Sequence, residues 1–204
     1  MAVLEAAQNS TAGTGADARL LKLANEVPSK TAWALASRNR RSLRLALETN
    51  TRSGAAMHDR RLPRSGSKLD HVVVGAHGVF VVAVRLHVGT LSRSTLVEGR
   101  GTLLRVGGGD ATNLVADVAR QAHGLRSILA SAGLSDHVAV QPVLCLPSAN
   151  WPLLARPFRI DEVLVASGAR MGRLVRRRGN LRTRDVDHVS SFLRSELPPT
   201  RHHC

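Results

Sequence analysis

Between Lys68 and Gly89 the chain reads KLDHVVVGAHGVFVVAVRLHVG, a nearly unbroken run of β-branched and apolar residues interrupted by the glycine-flanked pair Ala76-His77. Such a pattern predicts two strands closed by a two-residue turn. With Gly75 and Gly78 flanking that turn, the register sets Asp70 opposite Ala83 and Lys68 opposite Arg85 on the same face. Upstream, WALASRNRRSLRLALET, residues 33–49, repeats apolar positions at helical spacing. Ala36, Leu43 and Leu47 form one stripe, arginines take most of the remaining surface, and Arg40 falls on the stripe itself. The intervening SGAAMHDRRLPRSGS reads as a connector, with Pro63 and Gly66 marking the turn that feeds the hairpin.

Downstream, TLVEGRGTLLRVGGGDA carries one or two short strands or a loop. Gly107 to Gly109 then lead into a helix from Thr112 to about Ala132, capped by Asp110 or Thr112. HVAVQPVLCLPS and IDEVLVAS read as buried strands, and GARMGRLVRRR and RDVDHVSSFLRSEL as helices. Strands alternating with helices predict an α/β fold, a mixed central sheet flanked by helices. Residues 1–17, small and polar, read as a flexible leader, 18–199 as a single domain, and 200–204 as a frayed tail.

Charge adds a second layer. Lys and Arg total 29 against 15 acids, a net +14 with a pI near 11.7, which favours contact with nucleic acid or another anionic surface. Because Lys22, Lys30 and Lys68 are the lysines, nearly all of this charge is arginine, which a coding sequence rich in G and C would also favour. Cys145 and Cys204 form neither a disulfide framework nor a Cys-x-x-Cys metal or redox pair, which makes the cytoplasm the default location. No basic segment followed by an apolar block opens the chain, and no window approaches the ~20 apolar residues of a membrane span, so neither export nor membrane contact is expected.

Other candidate chemistry is thinner. VGGGDAT lacks the Gly-Lys-Ser/Thr of a P-loop and reads as a turn before it reads as a phosphate cradle. His58, His71 and His77 lie near Asp59 and Asp70 in sequence, but His71 projects from its strand to the face opposite Asp70, against a composite metal or triad site. Trp151 and Phe158, bracketing WPLLARPF, are read as packing under a loop in preference to stacking bases. The run RLVRRRG is the solvated face of a helix or, through Arg176, Arg177 and Arg178, a phosphate-contacting surface.

Several blocks taken together, HDRRLPRSGSKLDHVVVGAHGVFVV, LLRVGGGDATNLVADVARQAHGLR, PVLCLPSANWPLL and RRRGNLRTRDVDHVSSFLRSELPP, resemble the nuclease-related domain, NERD, in its actinobacterial form, over residues 34–199. The resemblance implies the restriction-endonuclease-like α/β fold of the PD-(D/E)XK nucleases. Their site joins a Glu of the first helix, an Asp of the first hairpin strand, and an acid two residues before a Lys on the next strand. The chemistry needs several carboxylates because Mg²⁺ demands hard oxygen ligands to polarise phosphate and activate water.

Carried onto this chain, the strand Asp corresponds to Asp70, the acid-x-Lys triplet to Ala83-Val84-Arg85, and a helical Gln of the pattern to Gln121. Arg38 or Arg40 stands where the helix Glu is expected. Arg85 keeps the charge of a catalytic Lys but stays protonated and clamps phosphate bidentately. Asp70 is then expected to pair with Arg85. The implied site is a remnant of Asp70 and Gln121 without a metal, in a catalytically impaired, nucleic-acid-associated module with DNA or RNA as partner through Arg85, Arg176, Arg177 and Arg178. Two alternatives stay open. One is an active nuclease in which other acids, such as Glu48 or Glu98, have moved into the site, the case in which Mg²⁺ would be the cofactor. The other is a structural or protein-interaction module.

Overall fold

A computed structural model describes residues 38, 41–49, 54–95, 101–152 and 156–200. The expected leader over 1–17, the tail residues 201–204 and Arg40 lie outside the described residues. The expected hairpin is β2 (Lys68–Gly75) and β3 (Gly78–Val84), antiparallel from Gly75↔Gly78 to His71↔Val82. Every residue of β3 is buried, as suits a continuous apolar strand covered on both faces. Gly78 has a φ of +118°, and a Cβ there would run into the carbonyl of Ala139, so both backbone and space call for glycine.

β3 runs parallel to β7 (Val140–Cys145), which runs parallel to β10 (Val163–Ala166), and β9 (Phe158–Ile160) closes that side antiparallel. On the other side β1 (Ala55–Arg61) pairs antiparallel with β2, giving the order β1-β2-β3-β7-β10-β9. Parallel neighbours need a long crossover. Between β3 and β7 it consists of β4 (Gly89–Thr95), β5 (Thr102–Val106), β6 (Gly109–Asp110) and the helix α2 (Thr112–Ser131). Those three strands and β8 (Ala149–Asn150), which lies parallel to β4, form a second, four-stranded sheet ordered β6-β5-β4-β8.

Two expectations are corrected here. Residues 55–61, read as connector, form β1: Ala55 and Met57 are buried and Ala56 packs on the α1 face, but from His58 to Arg61 the strand is polar because it lies at a sheet edge. The second sheet also went unread, since β4, GTLSRST, buries Leu91 and exposes Ser92, Arg93 and Ser94.

The helix α1 (residues 41–49) buries Leu43 and Leu47 of the expected stripe, while Ala36 and the expected start of the helix over 33–37 lie outside the described residues. It covers one face of the six-stranded sheet together with α3 (Gly168–Val175), over Val73, Phe80, Val82, Val143 and Cys145. Burial pushes the Cys145 thiol up to about 12 and makes it unreactive. The other face carries α2, which buries Val115, Val118, Ala122, Leu125 and Leu129 at alternating spacings of three and four, and α4 (Thr183–Glu196). The N-cap of α2 is Ala111, which makes no side-chain cap bond, in place of the expected Asp110 or Thr112. Asp110 accepts the N–H of Thr112 at 2.8 Å, and hydrogen bonding from the Thr112 hydroxyl, then from its N–H, holds the Asp110 carboxyl below the usual range.

α3 stops at Val175, so Arg176 is its C-cap and Arg177 and Arg178 follow it; the expectation of a longer helix through all three is corrected. The segment after them returns to the hairpin turn. Leu181 donates to the Ala76 carbonyl at 3.0 Å, and a Cβ on Gly179 would run into that same carbonyl. After α4 the chain passes along the outer side of β1. Arg61 donates to the Pro198 carbonyl at 3.0 Å, Thr200 to that of Asp59 at 2.6 Å, and Arg60 bridges to Pro199. Thr200, at the start of the expected tail, is thus held by a backbone bond.

Candidate functional site

The β2–β3 pairing ends at His71↔Val82, and Asp70 and Ala83 are the next residues on the two strands at that open end. Alternation along β2 puts Asp70 on the α2 side, with Val72 and Val74, and His71 on the α1 side, with Val73. Beyond Val84 the third strand ends, and Arg85 turns back to the carboxylate. Asp70 Oδ2 accepts from Arg85 Nη1 at 2.9 Å and from the backbone N–H of Val84 at 2.9 Å. Arg85 Nη1 also donates to the Val84 carbonyl at 2.9 Å, and the Arg85 backbone N–H to Cys145 O at 3.0 Å. The two side chains are 26% and 30% exposed, so this charge-assisted pair contributes on the order of 1 kcal/mol, mainly by pinning the open end of the hairpin.

Lys68 does not share that arrangement. It pairs with Asp59 at 3.2 Å, because Arg85 has left the strand before it could lie opposite Lys68. Ala83 is fully buried, clustered with Leu144, Leu104, Val115 and Val118. The place across from Asp70 is therefore filled by apolar packing. Gln121 reaches the same end of β2 from α2, donating through Nε2 to the Lys68 carbonyl at 3.1 Å, two residues from Asp70. Its Oε1 is buried and has no partner.

On the opposite face lies a polar chain that the sequence reading missed. His58 and His71 are register partners on β1 and β2, with their Nδ1 atoms 2.7 Å apart. His58 Nε2 lies 3.0 Å from Glu48 Oε1, which also accepts from Arg44 Nε at 3.1 Å. The Arg44 bond holds the Glu48 carboxyl below its usual range. Burial holds both imidazoles below theirs, His71 down to about 4 with the neighbouring His58 adding to the effect. A 2.7 Å contact between two ring nitrogens requires one to donate and the other to accept, so the pair shares at least one neutral imidazole. The detectable signal was in the strands: once β1 is recognised, its pairing with β2 brings the two histidines together.

Glu48 thus belongs to the α1 face, and Glu98 lies outside the described residues. Among the described residues no group of three or more His, Cys, Asp or Glu side chains could hold a metal ion. The Asp70–Arg85 pair and the basic run are also apart. Arg176, Arg177 and Arg178 are exposed beside the hairpin turn, whereas Asp70 and Arg85 sit at its open end, about 20 Å away along the strand. No helix among the described residues is long and apolar enough to cross a membrane.

Comparison with known proteins gives one match. No curated protein and no solved structure matches the chain. The family model described as nuclease-related domain, NERD, matches residues 36–147, a span that takes in α1, the hairpin with Asp70 and Arg85, α2 with Gln121, and β7. That span is more than half of the chain, which therefore belongs to the nuclease-related domain family.

Proposed function

We propose that this chain is an actinobacterial-type NERD domain of the PD-(D/E)XK branch whose metal site is degenerate, and that it is retained as a nucleic-acid-associated module with catalysis impaired or lost. The observation that carries this reading is the occupation of Asp70. Its Oδ2 is engaged by a guanidinium and a backbone N–H, and the residue across from it is a buried alanine. A divalent metal needs several oxygen ligands with negative charge around them. One carboxylate already neutralised by Arg85 does not fit Mg²⁺. Gln121, with one unpartnered amide oxygen, adds a neutral acceptor but no charge.

The test is metal-dependent cleavage. Purified protein with Mn²⁺ or Mg²⁺ is expected to leave plasmid and single strands intact beyond the background shown by Asp70→Asn. Cleavage that the wild type performs and Asp70→Asn abolishes would support the active-nuclease alternative. The double variant Ala83→Asp with Arg85→Lys is expected to melt well below the wild type, because it puts a second carboxylate into an apolar cluster beside Asp70. Added Mn²⁺ is expected to leave that melting temperature unchanged, since Glu48 is held on the other face by His58 and Arg44.

A further inference from the structure

We propose that the cleft lined by Leu91 to Arg93 of β4, by Trp151 and Pro152, and by Arg156 to Phe158 binds an unpaired nucleobase and its flanking phosphate, making single-stranded nucleic acid the ligand. This deepens the reading of the chain as nucleic-acid-associated and rests on it. The cleft has a volume of about 460 Å³, within the usual range of small-ligand sites of about 300–1,000 Å³.

Its composition is unusual for this chain, which contains two Trp, three Phe and no Tyr. Phe80 is buried, and Phe192 packs against the core formed by α2 and α4. Trp151 and Phe158 are half-exposed and line the same opening, their ring centroids 6.0 Å apart and tilted by 51°. Trp151 Nε1 donates to the Leu146 carbonyl at 3.0 Å. That bond fixes the indole and uses its polar edge; Trp151 and Phe158 also pack on the cluster around Leu104, Leu144 and Leu146, as the sequence implies, and what they offer a ligand is the part of the rings left exposed.

Arg93 and Arg156 complete the cleft, and neither has a carboxylate partner among the described residues. The Arg93 guanidinium carbon lies 5.0 Å from the centre of the Phe158 ring. Pro152 and Pro157 supply further apolar wall, and among the described residues no acid lines the opening. Aromatic faces beside unpaired arginines are what a single strand requires: the bases stack on the rings or on the guanidinium plane, and the phosphates meet the positive charge. A duplex keeps its bases stacked on each other and cannot offer them. Charge complementarity and available ring faces therefore select an unpaired strand.

The experiment uses the full chain carrying Trp33→Phe, so that Trp151 is the single indole. Its fluorescence is titrated at low salt with oligothymidylate, with a duplex of equal length, and with inorganic polyphosphate. Oligothymidylate is expected to quench Trp151 and the other two to leave it nearly unchanged. Phe158→Ala is expected to weaken oligothymidylate binding roughly tenfold to a hundredfold, the usual effect of removing one stacking ring, with duplex binding unaltered. Because Phe158 also packs against the core, Phe158→Leu, which keeps the bulk and loses the π face, serves as a second variant with the same expected direction. Oligothymidylate binding that leaves Trp151 unquenched and both variants unimpaired would overturn the cleft assignment while leaving nucleic-acid association standing. Equal quenching by polyphosphate would mark an anion site without base contact and overturn it as well. Absence of binding to any nucleic acid at low salt would overturn both this inference and the reading on which it rests.

Discussion

Replacing Arg176, Arg177 and Arg178 together by alanine is expected to flatten the salt dependence of duplex binding by up to about three units of slope. Each phosphate neutralised on duplex DNA contributes about −0.9 to the slope of log K against log salt. A surface making five or six contacts thus loses roughly three orders of magnitude in affinity between 50 and 200 mM salt. The three arginines are exposed, follow the end of α3 and have no ion-pair partner among the described residues. Their removal should leave the melting temperature nearly unchanged, because exposed charges contribute little to folding. Binding isotherms at four or five salt concentrations, for wild type and triple variant, measure the effect. A slope that the triple variant does not alter assigns the excess positive charge to arginine composition. Contacts to backbone phosphate position a protein without reading bases, so the same experiment should show no sequence preference.

The second large effect is on stability at acid pH. His71 is buried and titrates at about 4, against about 6.5 for an unperturbed imidazole. Between these values the unfolded chain binds more protons than the folded one, so stability rises with pH across that window. The contribution is present in full above about pH 6.5 and is lost as pH falls toward about 4. A shift of this size corresponds to about 3 kcal/mol as an upper bound. His58, whose titration is also lowered, adds in the same direction. The groups facing the pair pull both ways: Arg44 disfavours its charge, whereas Asp59 and Asp70 favour that of His71, and Glu48 that of His58. Glu48, held low by Arg44, acts in a separate window below pH 4.5. Urea denaturation at pH 7.5 and pH 5 should show a large fall for the wild type and a much smaller one for His71→Val, which keeps a β-branched apolar residue at a buried strand position. Equal pH dependence in the two proteins would remove His71 as its source.

The parts of this fold that sequence discloses are those where one physical demand dominates. The β2–β3 hairpin is legible because a doubly covered strand must be apolar throughout and its turn needs glycine at Gly78. Its register put Asp70 and Arg85 on one face at the open end, and the resemblance then led to the expectation of their pair, while the placing of Lys68 opposite Arg85 failed because Arg85 leaves the strand. β1 and β4 are not legible, because edge positions and exposed sheet faces admit polar residues, and AAMHDRR and GTLSRST carry too few apolar positions to show a period. From the loss of β1 follows the loss of the His58–His71 contact, which depends on cross-strand pairing and leaves no mark within either strand. The end of α3 was misjudged because arginine is a good helix former and nothing local stops the helix at Val175. What ends it is tertiary: the chain must return to the Ala76 carbonyl, which Gly179 permits.

The segment Leu197–Thr200 has a consequence for solubility. β1 would otherwise present a row of free N–H and C=O groups, a template on which a second chain could add as a further strand. Instead the Arg61 N–H donates to the Pro198 carbonyl and the Asp59 carbonyl accepts from the Thr200 N–H, with Pro199 lying opposite Arg60. The two prolines have no N–H of their own to offer, so the covering segment cannot be extended in turn. A chain cut after Leu197, whose side chain belongs to the core, would regain an open edge, and its failure would be self-association through the sheet rather than loss of the core.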